Sequence, residues 1–173
     1  MSRLNDMKDN RFRAVLRAAA LIALWLVLIS LDLASKSKAA AVLKGNAPIV
    51  LIDGVLELRY VQNTGAAFSI LENAQWLFIL VAVAAILIIA LVLHRLPGTR
   101  HYLPLHILLT LISAGATGNL ADRLLLGYVR DFIYFSLIDF PVFNVADMYV
   151  TVSVAILVFY ILFYYKDEDF VFE

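Results

Sequence analysis

The sequence predicts a mainly α-helical membrane protein. It has four transmembrane helices, a small extracytoplasmic β-hairpin or sheet between helices 1 and 2, and an extracytoplasmic loop between helices 3 and 4. Three observations predict this. Hydrophobic residues make up 63% of the 173 and charged residues only 16%, with a mean hydropathy of +0.88, whereas soluble domains run near half apolar and about a quarter charged. Four apolar runs recur along the chain, each near the ~20 residues that cross ~30 Å of hydrocarbon. Between the first two, Asp53-Gly54 separates two β-rich runs, a strong short-range hairpin signal.

The first span covers 14–33, behind a basic start containing Arg3, Lys8, Arg11, Arg13 and Arg17. It is longer than the core of a signal peptide, and more spans follow it, so it reads as a retained helix. Asp32 and Lys36 close it, four apart and on one helical face. The expected arrangement is an interfacial ion pair with Lys36 snorkelling to the headgroups. Residues 37–73 then lie outside the lipid. Ile49–Ile52 and Val55–Val61 form the hairpin, with a type I′ turn expected at Asp53-Gly54. Leu56, Leu58 and Tyr60 alternate against Glu57 and Arg59. Asn63 and Thr64 offer hydrogen bonds, and Gly65 with the two alanines after it allows close backbone approach. Such a sheet could also accept an extended peptide at its edge.

The second span, 75–93, opens with Trp76 at an interface, and Pro97-Gly98 marks the bend that follows it. The third, 102–120, contains Ser113–Gly118, whose small residues suit close helix packing. At its end Asn119, Asp122 and Arg123 share a face. The fourth is 146–165. An even number of spans puts both termini on one side. The basic N-terminus makes that side cytoplasmic, so the polar clusters face outward. No repeat, linker or low-complexity stretch divides the chain, and 1–173 reads as one domain.

Composition also excludes chemistry. The formal net charge is zero, so a nucleic-acid partner has no electrostatic support. There is no cysteine, which removes thiol nucleophiles, disulfides and cysteine metal sites. His94, His101 and His106 lie far from the polar cluster, against a serine–histidine triad and against zinc. In Ser35-Lys36 and Ser37-Lys38 the two partners are adjacent, and adjacent residues on a helix diverge by about 100°, poor geometry for a dyad. No cofactor or metal is expected.

What remains is the stretch from Gly118 to Asp147, with four carboxylates: Asp122, Asp131, Asp139 and Asp147. Ionisable groups so close to membrane spans are functional candidates. Two aspartates held together cannot both ionise cheaply, so one keeps a proton while the other acts as base on a shared water. Such a pair hydrolyses an amide without a covalent intermediate. Spacing alone leaves open which two pair. A proton-coupled transporter would want its acids at mid-span, whereas these lie at span ends. A non-enzymatic scaffold would rest on the small-residue third helix.

Five blocks carry a resemblance: Asp32-x-x-x-Lys36, Asn63-Thr-Gly-Ala-Ala-Phe-Ser69, Gly118-Asn-Leu-x-Asp-Arg123, Gly127-x-Val-x-Asp131-Phe132 and Phe143-Asn-x-Ala-Asp147. In this order, over nearly the whole chain, they resemble lipoprotein signal peptidase, the bacterial type II signal peptidase and a four-helix membrane aspartic protease. The resemblance implies that Asp131 and Asp147 are the catalytic pair. It makes Asp32, Lys36, Asn63, Gly65, Asn119, Asp122, Arg123 and Asn144 supporting or substrate-contacting positions, and leaves Asp139 a solvated loop residue. It implies prolipoprotein substrates carrying a diacylglyceryl cysteine, cut just before that cysteine, by a monomer among membrane lipids of the bacterial inner membrane. Asn63, Asn119 and Asn144 would bond the unwound substrate backbone, and Arg123 would pair with Asp122 or contact substrate. Leu33 departs from the family, which commonly has glutamine there. The stretch from Asp131 to Phe143 is short, so any lid in it would be abbreviated.

Overall fold

The computed structural model describes residues 2–65 and 75–170, with side chains from residue 12 to 169. Ala66 to Ser69 of the second motif block lie outside the described residues. The order is α1 (Ser2–Leu43), β1 (Ile49–Ile52), β2 (Leu56–Asn63), α2 (Gln75–Arg95), α3 (Leu103–Leu126), β3 (Val129–Phe135) and α4 (Val145–Phe163). Four of these are long and apolar enough to cross a membrane.

The first helix does not stop near Leu33, as the hydropathy run suggests, but continues to Leu43. Ser30 to Ala41 contain no glycine or proline, and helix geometry does not depend on hydropathy. Gly45, at φ +78°, is the first residue able to take a left-handed turn without strain. Leu103–Leu126 begins with Pro104 in its first turn and ends on Gly127 at φ +83°, the asymmetry expected of those two residues.

The bundle is built around α3, which packs against α1, α2 and α4. Leu80, Leu87, Ile88 and Leu91 of α2 are exposed, whereas Asp32, Lys36, Asp122 and Asn144 are completely or almost completely buried. This distribution suits hydrocarbon as the solvent, with polar groups turned to the bundle interior. Two glycines let the helices close. A Cβ on Gly115 would strike the carbonyl oxygen of Ala146, and one on Gly118 would strike Oδ2 of Asp32. The small-residue stretch therefore makes the close approach expected of it.

The expected hairpin gains a third strand. The sheet order is β1-β2-β3, all antiparallel, so the segment carrying Asp131 is a strand, not a loop. The hairpin turn also differs from type I′. Only Gly54 has positive φ, at +66°, while Asp53 does not, and type I′ needs both. Leu58 and Tyr60 pack on Ala39, Leu43 and Phe132, joining the sheet to the extension of α1.

At the other end of the bundle Leu96, Leu105 and Tyr165 form a second buried cluster. His101 lies there, 3.0 Å from Asp169.

Candidate active site

A bulge in β2 decides which way Asn63 points. Leu58 pairs with Ile133 but Val61 pairs with Asp131, so one extra residue sits in β2. Without it Asp131 would face Tyr60, and Asn63 would lie on the opposite face of the sheet, since side chains alternate. With it Asn63 pairs with Val129 and shares the face of Asp131. Asn63 Nδ2 donates to Asp131 Oδ2 at 2.8 Å. Gly65 fixes the amide orientation, because its N–H donates to Asn63 Oδ1 at 2.8 Å. Its φ of +87° is unfavourable for any other residue, and the Phe78 ring occupies the place a Cβ would take.

Asp147 comes from the first turn of α4. Asn144 caps that helix: its side chain accepts from the Asp147 N–H at 3.0 Å, and its own N–H donates to Asp147 Oδ2 at 3.0 Å. This reciprocal arrangement is a capping box. Asn144 Nδ2 donates in addition to Asp131 Oδ1 at 2.6 Å. One asparagine thus holds both carboxylates, 16 residues apart in sequence.

Behind them lies a buried ionic layer. Asn119 donates from Nδ2 to Asp147 Oδ1 at 2.7 Å, and its Oδ1 accepts from Lys36 Nζ at 2.8 Å and from Asn144 Nδ2 at 3.1 Å. Lys36 also pairs with Asp32 at 2.7 Å and stands 3.9 Å from Asp122. It is fully buried, so the expected snorkelling does not occur. Three oxygen-bearing partners in the interior replace the headgroups as its ligands. Asp32 Oδ1 accepts the Ala146 N–H at 2.9 Å, one of the donors that a helix N-terminus leaves without an intrahelical partner.

Asp122 is bound by Arg130 and not by Arg123, for which pairing with Asp122 was one of the two roles expected. The Arg130 backbone N–H and its Nε and Nη2 all donate to the Asp122 carboxylate, the shortest contact being 2.7 Å. The fork of a guanidinium matches a carboxylate bidentately, and β3 delivers Arg130 at the right distance, while Arg123, one residue along the helix, diverges. Arg123 lies over the Phe78 ring at 5.2 Å, with Asp147, Asp131 and Asp122 as its electrostatic partners. Its side chain makes no hydrogen bond among the described residues, while its carbonyl accepts the Gly127 N–H at 3.2 Å.

Asp131 and Asp147 line the same cavity, of about 660 Å³, with Asn63 beside them and Phe140, Phe143, Met148 and Val152 on its apolar wall. Burial pushes the Asp131 carboxyl up to about 6, with the Asp147 carboxylate adding to the rise. The amides of Asn63 and Asn144 and the Lys36 ammonium oppose it. Asp139 is exposed, at φ +47°, and accepts from Tyr134 Oη at 2.6 Å. It takes no part in the cluster.

A family model described as signal peptidase (SPase) II matches residues 24–163. The chain belongs to the signal peptidase II family. The lipoprotein signal peptidase of Streptococcus thermophilus (strain CNRZ 1066) is 40% identical over 154 residues, covering 89% of this chain and 97% of the relative. That of Streptococcus pyogenes serotype M5 (strain Manfredo) is 43% identical over 121 residues, covering 69% and 75%. A solved structure titled as a bacterial membrane enzyme, determined by the in meso method at 1.9 Å, superposes with a TM-score of 0.76. It is 26% identical and covers 85% of this chain and 95% of the other. Family membership and the four apolar helices make this signal peptidase II a multi-pass protease of the bacterial inner membrane.

Within this signal peptidase II the expected residues fall into two groups. Asn63, Asn119 and Asn144 each donate an amide hydrogen to one of the two acids. Asp32, Lys36 and Asp122 form the ionic layer behind. Sequence reasoning missed Arg130 and the strand that carries it. The available signal was the β-rich run Val129–Phe135 ahead of Asp139.

Proposed function

We propose that the enzyme removes signal peptides from prolipoproteins by activating one water between Asp131 and Asp147. It cuts the peptide bond just before a diacylglyceryl-modified cysteine. The observation that carries this reading is that Asn144 binds both carboxylates while both line one cavity. Asp147 sits in the first turn of a helix, where an anion is favoured, and acts as base. Asp131, pushed up to about 6, supplies the acid. A pair with one proton between two aspartates is the usual aspartic-protease solution.

Asp147 takes a proton from water as the oxygen bonds to the scissile carbonyl carbon. Asp131 gives its proton to the carbonyl oxygen, forming a neutral diol. In collapse the C–N bond breaks and the leaving nitrogen receives the proton held by Asp147. One diol hydroxyl returns its proton to Asp131, leaving a carboxylic acid and a free amine. The substrate segment must leave helical form, because a hydrogen-bonded helix shields its carbonyls. The apolar wall of Phe140, Phe143, Met148 and Val152 suits a lipid-bearing residue. The basic N-terminus supports cytoplasmic termini, with the active site toward the outer face.

The test is purified enzyme on a diacylglyceryl-modified prolipoprotein. Asp131→Asn and Asp147→Asn should each abolish cutting while leaving the fold intact, and near-normal turnover by either overturns the pairing. The unlipidated precursor should be cut poorly. Equal rates on both forms remove the lipid-recognition claim.

A further inference from the structure

Arg130 lies next to Asp131 in sequence and opposite it in space, because neighbouring side chains of a strand point to opposite faces. Asp131 faces the cavity, and Arg130 is absent from the cavity lining. Its side chain instead reaches two helices. Nε and Nη2 clasp Asp122 of α3, and Nη1 donates to Ser37 Oγ of α1 at 3.1 Å. Its backbone N–H donates to Asp122 Oδ2 at 3.0 Å. On the other side of Asp131, the N–H groups of Phe132 and Ile133 both donate to the Phe143 carbonyl, at 3.0 and 2.8 Å. Asp131 is therefore clamped from both flanks: Phe132 packs on Ala39 and Leu43 of α1, and the Arg130 flank makes polar attachments to α1 and α3.

We propose that Arg130 is a positioning residue for the cleavage reaction: its three-way attachment to Asp122 and Ser37 sets the depth and rotation of β3, and so places the Asp131 carboxyl between Asn63 and Asn144. This rests on the proposed role of Asp131 as acid. Asp122 without its fork partner would retain Lys36 at 3.9 Å as its nearest cation. The start of β3 would then lose its side-chain attachments to α1 and α3 and keep, of the bonds Arg130 makes to them, only its backbone N–H to Asp122. Small displacements of a reacting group cost rate steeply, about a hundredfold for 1 Å.

Asp131 is faced by Asn63 of β2, by Asn144 and Asp147 at the start of α4, by Lys36 of α1 and by Arg123 of α3. The two asparagine bonds favour its charged form. If β3 drifts, those bonds lengthen and the alkaline limb of the rate profile, set by loss of the Asp131 proton, moves to higher pH. Partial unfolding would scale the profile or, because stability falls as pH rises through 6, pull the limb to lower pH, the opposite direction.

The experiment compares Arg130→Gln, Arg130→Lys and Asp131→Asn as full-length enzymes on the lipidated precursor, with kcat, KM and the kcat–pH profile measured. Arg130→Gln should lower kcat about tenfold or more with KM within about twofold, and shift the alkaline limb upward by about half a pH unit. Arg130→Lys keeps a cation beside Asp122 but presents a point in place of a fork. It guards against misfolding, and should lower kcat and shift the limb in the same direction. Wild-type kcat and limb in Arg130→Lys, or a slower Arg130→Gln whose limb stays in place, overturns the proposal. Activity in Asp131→Asn overturns the underlying reading instead, so the two failures are separable.

Discussion

Lys36 Nζ and Asn119 Oδ1 lie 2.8 Å apart, bridging 83 residues of sequence. The bond fixes the Asn119 amide so that its nitrogen, not its oxygen, faces Asp147. It also gives a fully buried ammonium a neutral partner besides Asp32. Lys36→Met removes the cation and strands the Asp32 carboxylate. Breaking one side of a buried pair costs about 3–5 kcal/mol. Thermal unfolding in detergent should show that loss. Asp32→Asn combined with Lys36→Met should recover part of it, because no unpaired charge remains.

Asn144 serves the helix and both acids at once. Asn144→Ala should cost about 1 kcal/mol through the lost cap. The loss of cutting should be far larger than that stability change explains, since Asp131 and Asp147 lose their common partner. Turnover at matched folded fraction, with circular dichroism as the control, separates the two effects.

Gly118→Ala would drive a methyl group into the Asp32 carboxylate. Asp32 would have to release Lys36 or the Ala146 N–H. Overpacking of this kind costs about 1–3 kcal/mol, and activity should fall with it because the start of α4 shifts. Gly127→Ala meets no such neighbour, only Gln75 at 3.9 Å. Its cost should come from the left-handed backbone at φ +83°, and be about 1–2 kcal/mol.

The pH dependence of stability carries the mark of Asp131. Its pKa in the fold, about 6, lies above the unfolded value near 3.8. Between those values the folded state binds more protons than the unfolded one, so stability from this group is full below pH 4 and declines as pH rises through 6. Just over two pKa units at 1.36 kcal/mol each bound the decline at about 3 kcal/mol. Unfolding free energies from pH 4 to pH 7 should show this slope in the wild type and lack it in Asp131→Asn. Identical slopes would mean Asp131 titrates normally.

The site was legible in unequal parts. Asp32 and Lys36, four apart, had to share a helical face, and the pair forms. Its depth was not legible, because the hydropathy run ends at Leu33 while the helix runs on to Leu43. Hydropathy reports the solvent a segment prefers, and helix propensity reports its backbone. Asn144-x-x-Asp147 carries its own capping geometry within four residues, so the orientation of Asp147 was latent in the chain. The partner of Asp122 was not, since Arg123 and Arg130 are both nearby in sequence and only β3 brings Arg130 into reach.

Residue order alone specifies four apolar helices, a hairpin between the first two and a set of polar residues that must be turned away from lipid. Those follow from local composition and from the cost of exposing charge to hydrocarbon. Which carboxylates share a cavity and a common asparagine depends on how distant segments pack. Asp131 reaches Asn144 because β3 adds to the hairpin, and Asn63 reaches Asp131 because of one extra residue in β2. Strand pairing and bulges are settled by contacts between distant segments, which leave almost no imprint on the residues between them.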